Sequence, residues 1–196
     1  MAGHLVRFTG AILFALVSVT TFATDGGARD IRLGIQGTDD REIVEGNRYP
    51  WRAIGRVNNA GRAFCTGVLI DHQRVLTAAH CLRSHIRRGA MAKANEIHFL
   101  AGYTRGSYIA HSKAVAIERS KVRSVREKTA DDWAIIVLAD PVGKQVGFLG
   151  LEVFNLPAWK RDRRSGKRYA QAGYSHDRAH ILTRHINCEI RGFLKD

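Results

Sequence analysis

Apolar residues along the chain fall in short runs of β-branched and other apolar side chains, separated by Gly, Asn, Asp and charged turns. Nine runs read as strands: Ala53–Val57, Cys65–Ile70, Arg74–Thr77, Ile97–Leu100, Ala114–Ile117, Trp133–Leu138, Glu152–Leu156, Tyr169–Ala172 and Ala179–Leu182. Asn58-Asn-Ala-Gly61 is a turn signal between the first two, and Asp71-His-Gln73 joins the second to the third. One short helical turn is expected, from Ala79 to Arg83. Many short strands and little helix predict an all-β barrel or sandwich. No internal repeat interrupts this texture.

The pattern changes before Ile43. Arg7 precedes a short apolar stretch, Ala11-Ile-Leu-Phe-Ala-Leu-Val-Ser-Val19, and Thr21-Phe-Ala23 supplies small residues ahead of polar Thr24-Asp25-Gly26-Gly27. This is the layout of a secretory signal peptide over residues 1–23, too short to span a bilayer. Residues 24–42, rich in Gly and Asp, read as a pro-segment or linker, with structure beginning near Ile43. No later stretch approaches membrane-spanning length. The expectation is a secreted or periplasmic protein with no membrane span after signal cleavage.

Composition adds a partner question. The 196 residues carry a formal charge of +13, which favours anionic surfaces or polymers. Two basic runs, Arg119–Lys128 and Lys160–Arg168, are candidate anion-docking loops, or ordinary solvated connections. The second run has no interleaved aromatic residue, so specific nucleic-acid binding is not expected. Export permits disulfides. With three cysteines, Cys65, Cys81 and Cys188, an odd count means a free thiol, an intermolecular bridge or a missing partner. Among nine histidines, His176-Asp-Arg-Ala-His180 mimics a zinc helix. Its general-base Glu is replaced by Asp177 and a strand-like stretch follows, so no metal or other cofactor is expected.

One string carries more chemistry than the rest. Thr77-Ala-Ala-His80-Cys81, preceded by Phe64-Cys65-Thr-Gly-Val-Leu-Ile70, resembles the histidine motif of the trypsin-like (chymotrypsin-fold) serine proteases. Asp131-Asp132-Trp-Ala-Ile-Ile-Val-Leu138, 52 residues beyond His80 when counted from Asp132, resembles that family's acid-bearing strand. The resemblance implies a chymotrypsin-like double β-barrel acting on polypeptide substrates, with His80 as general base and Asp132 as the acid that orients it. It also implies a Cys65–Cys81 disulfide closing a 16-residue loop beside the histidine.

The family's third member, a serine in Gly-Asp-Ser-Gly-Gly, has no counterpart in these 196 residues. Ser165 reads as a surface turn, and Ser175 lacks the final Gly of a Gly-x-Ser-x-Gly elbow, since Asp177 stands there. Ala172-Gly-Tyr174 resembles the opening strand of the second barrel. Cys188 is then left unpaired, its family partner belonging near the missing serine. The expectation is a C-terminally truncated protease, inactive as it stands, with a first barrel over 43–140 and a partial second barrel over 141–196. Arg41-Glu-Ile43-Val-Glu-Gly46 and Tyr49-Pro-Trp51 are similar to the exported bacterial glutamyl-endopeptidase-like branch. The alternative is a secreted non-catalytic homologue whose basic surface binds an anionic partner.

Overall fold

The computed structural model describes residues 38–87, 90–120 and 129–193. The proposed signal peptide, most of the 24–42 segment and most of the first basic run lie outside these residues. The described residues form nine strands: β1 (Glu42–Ile43), β2 (Ile54–Asn59), β3 (Ala63–Leu69), β4 (Arg74–Thr77), β5 (Ile97–Ala101), β6 (Ala110–Arg119), β7 (Ala134–Leu138), β8 (Tyr169–Gly173) and β9 (Thr183–Cys188). Two α-helices also lie among them, α1 (Gly143–Val146) and α2 (Leu156–Arg164).

Six strands close into a barrel in the order β2-β3-β4-β7-β6-β5, each neighbouring pair antiparallel. Closure leaves no free edge among them. Burial alternates along the strands, as in Ala134–Leu138, where every second residue points inward. Val57, Leu69, Val75, Ile97, Phe99, Ile136 and Leu138 fill the interior and are almost wholly buried. Gly67 leaves room for this filling, because a Cβ there would stand 2.6 Å from Val75 Cγ1 and 2.7 Å from Val57 Cγ2. The β2–β3 hairpin turns at Ala60 and Gly61, both at positive φ, with the Arg62 N–H donating to Asn59 O at 3.0 Å. Two positive-φ residues match the right-handed twist of the flanking strands.

A second sheet, in the order β1-β9-β8, lies against the barrel. Leu100 on the barrel's outer face and Tyr103 just beyond β5 meet Val44, Tyr174 and Leu182 in a smaller apolar cluster. The Tyr174 hydroxyl donates to Tyr103 O at 2.8 Å, so the buried ring also satisfies its polar end. Burial pushes the Tyr174 phenol well above its ordinary range.

Three elements differ from the sequence pattern. Glu152–Leu156 is not a strand. The chain from Leu151 to Asn155 is irregular, and the second basic run becomes part of α2 and the turn after it. Asn155 caps α2 by accepting the Ala158 N–H at 3.0 Å, Pro157 sits in its first turn, and Ala158 and Asp162 form its buried stripe. Arg161, Arg163 and Arg164 occupy the last turn, where cations complement the helix dipole. Ala179–Leu182 is a turn rather than a strand, and β9 starts at Thr183. Folded structure also begins before Ile43, because Asp39 and Arg41 are anchored to residues 175–178.

Candidate functional site

His80 lies in a 3-10 turn, Ala79–Leu82, that follows β4 directly. Extended Ala78 (φ −80°, ψ 142°) ends the strand, and buried Ala79 and Leu82 pin the turn to the barrel while His80 faces outward. Asp132 stands two residues ahead of β7, the strand paired with β4. Adjacent strands thus bring together two residues 52 apart in sequence.

The contact between them uses both carboxylate oxygens. His80 Nδ1 lies 2.6 Å from Asp132 Oδ2, and the His80 backbone N–H donates to Oδ1 at 2.9 Å. Burial acts to raise the Asp132 pKa, but the bonds from the His80 ring and from the backbone N–H groups of His80 and Ala79 outweigh it and hold the acid below its usual value. An ionised Asp132 can only accept, so Nδ1 carries the shared proton. The lone pair of Nε2 therefore faces away from the acid. The imidazole is 58% exposed and Asp132 20%, so the ring is open to solvent while the carboxylate it contacts is shielded.

Two further features hold the turn, and a third holds the end of β4 that leads into it. Cys65 on β3 and Cys81 are joined as a disulfide, with Cα atoms 6.0 Å apart. Buried Asn59, at the end of β2, donates both amide hydrogens to the turn, to Cys81 O at 3.0 Å and Arg83 O at 2.8 Å. The Thr77 hydroxyl, also buried, donates to Thr66 O at 2.9 Å. Asn59 is a support of this turn that sequence reasoning missed. It stood there as part of a turn signal, and nothing in its neighbourhood indicated that its side chain points inward.

Cys65, His80 and Cys81 form the one trio of metal-capable residues close together among the described residues. Both sulfurs are spent in the disulfide, so no thiolate ligand remains. His176, His180 and His185 are not gathered into a ligand set. His180 Nδ1 faces the Tyr103 hydroxyl at 2.8 Å, and His185 Nε2 faces Asp40 at 3.2 Å.

Neither later serine bonds to His80. Ser165 Oγ donates to Asp162 O at 3.0 Å at the end of α2. Ser175 Oγ accepts from Arg41 at 2.7 Å. That guanidinium also bonds both oxygens of Asp39 (2.8 and 3.0 Å) and both of Asp177 (3.1 and 2.6 Å). These bonds hold the Asp39 and Asp177 carboxyls far below the usual range. Cys188 is a free, half-buried thiol whose Sγ lies 3.6 Å from His185 Nδ1.

Comparison with known proteins gives the family and the fold. A family model, Trypsin, matches residues 39–188. Among curated proteins, alpha- and beta-fibrinogenase OhS1 of Ophiophagus hannah is 44% identical over 43 residues, a stretch covering 22% of this chain but only 16% of that relative's length. Among solved structures, a Glu endopeptidase in complex with MPD superposes with a TM-score of 0.62 at 21% identity, covering 76% of this chain and 68% of that one. Protease Anisep from Arthrobacter nicotinovorans gives 0.53 at 18% identity, over 74% and 66% of the two chains. Vibrio cholerae VesB protease gives 0.54 at 20% identity, over 74% and 43%.

Proposed function

Because the chain belongs to the trypsin family, with a closed six-strand barrel and second sheet of the chymotrypsin-like fold, we propose that it is an exported serine endopeptidase whose base and acid are His80 and Asp132. The observation that carries this reading is the two-point contact between the Asp132 carboxylate and His80. With Nδ1–H held by Asp132, Nε2 is the nitrogen that takes the proton of a serine hydroxyl and later returns it to the leaving amine. Asp132 then stabilises the imidazolium through the same 2.6 Å contact. Substrates are polypeptides.

Export is supported by the N-terminal pattern of Arg7 and the apolar run Ala11–Val19, together with a disulfide that persists in oxidising compartments. The 196 residues hold no Gly-Asp-Ser-Gly-Gly, so this polypeptide by itself supplies base and acid without the nucleophile. The test compares the 196-residue chain with a version extended by the downstream reading in any frame. The chain alone should neither cleave peptide amides nor be labelled by a fluorophosphonate. The extended protein should do both, and replacing Asp132 by Asn there should cost about 10⁴ in turnover. Labelling of the 196-residue chain, or a downstream region with no such serine, overturns the reading.

A second reading, a secreted non-catalytic homologue that binds an anionic partner, is favoured by one feature. α2 and the turn after it expose Lys160, Arg161, Arg163, Arg164, Lys167 and Arg168 along one stretch. Retention on a sulfated-polymer column, lost on replacing these residues, combined with an absent downstream serine, would select it.

A further inference from the structure

His98 on β5 and His111 on β6 are neighbours on the outer wall of the barrel, on strands that contribute neither His80 nor Asp132. The strand register pairs His98 with Lys113 and Leu100 with His111, so the two imidazoles are diagonal neighbours across one ladder. Their flanking residues Ile97, Phe99, Ala110 and Ser112 point inward and are buried, which fixes both backbones as barrel wall. His98 Nδ1 and His111 Nε2 lie 2.8 Å apart, with the rings 14° from parallel.

We propose that His98 and His111 form a two-imidazole binding site for a divalent ion of the copper(II) or nickel(II) type. The nitrogen separation decides which ion fits. Metal–nitrogen bonds of about 2.0–2.1 Å set at right angles place two ligand nitrogens about 2.9 Å apart, whereas tetrahedral angles need about 3.4 Å. The observed 2.8 Å matches adjacent positions of a tetragonal ion, and a tetrahedral ion would require the rings to rotate apart by about 0.6 Å. Imidazole is a favoured ligand for copper(II) and nickel(II), and both rings are carried on paired strands of the closed barrel. Solvent completes the coordination on the exposed side.

The gap holds one N–H and one lone pair. With each ring carrying a single N–H, metal entry shifts the N–H in the gap to that ring's other nitrogen by exchange with solvent, and no net proton is released. Lys113 opposes a cation at this place. Tyr108, whose ring centroid lies 5.8 Å from that of His111, flanks the other side.

The experiment titrates the 196-residue chain carrying His4→Gln, which removes the competing amino-terminal histidine, with copper(II) chloride, then nickel(II) chloride, at pH 7.5 in a non-chelating buffer. Electron paramagnetic resonance with pulsed detection counts the imidazoles around the first copper equivalent. Two imidazoles are expected, with affinity reduced at least tenfold in each of His98→Gln and His111→Gln and unchanged in His176→Gln. A first equivalent bound through one imidazole in the chain that keeps His98 and His111 would overturn the proposal. So would copper affinity indifferent to both Gln variants, or no copper bound at equimolar protein. The imidazole count needs no variant of either residue, so a variant that fails to fold leaves the test intact.

Discussion

Replacing both Cys65 and Cys81 by Ala tests how the turn bearing His80 is held. The disulfide spans a sequence separation of 16 residues. In the chain-entropy description, a loop of that length restricts the unfolded chain by about 10 cal/mol/K, or about 3 kcal/mol at 25 °C. That is a change of about 150-fold in the unfolding equilibrium. For a domain of this size, with a urea m-value of about 1.5–2 kcal/mol/M, the midpoint should fall by about 1.5–2 M. The m-value should rise slightly, since the unfolded chain is no longer cross-linked. Urea unfolding followed by tryptophan fluorescence reads both quantities. Hydrogen exchange should quicken first in Ala79–Leu82, where the bonds from Asn59 alone would then hold the turn to β2. A loss below about 1 kcal/mol, or unchanged exchange in that turn, would refute the claim that the bridge both stabilises the barrel and anchors the histidine.

Three other outcomes follow from particular contacts. Asp132 has a depressed folded-state pKa, so its stabilising contribution is complete above the unfolded carboxylate value of about 3.9 and is lost as pH falls through the folded value. Asp132→Asn should therefore reduce the dependence of the urea midpoint on pH below about 4, and an unchanged slope there would count against the contact. Gly67→Ala pushes a methyl group against Val75 and Val57 and should cost about 1–3 kcal/mol in the same unfolding assay. A neutral result would mean that the barrel interior is looser than its contacts indicate. Ala60→Gly removes a Cβ from a residue at φ 50° and should raise the midpoint by up to about 1 kcal/mol in stability, whereas a loss would show that the turn is unstrained.

The sequence by itself determined the local and periodic features of this protein. Short apolar, β-branched runs in Arg74–Thr77 and Trp133–Leu138 marked β4 and β7, because the length and composition of such a run are local to it and independent of its partner. The strings around His80 and Asp132 were legible for the same reason, each being contiguous. α2 was less legible. Its apolar stripe is only Ala158 and half of Trp159, its buried Asp162 reads as polar, and its cap at Asn155 acts over a single turn. Only the tertiary structure decided what lies next to what across the barrel. Closure placed Asn59 under the histidine turn, set Asp132 2.6 Å from His80 Nδ1, and left two histidines of adjacent strands 2.8 Å apart on the outer wall. Strand register and barrel closure depend on partners tens of residues away, so no window of the chain encodes them.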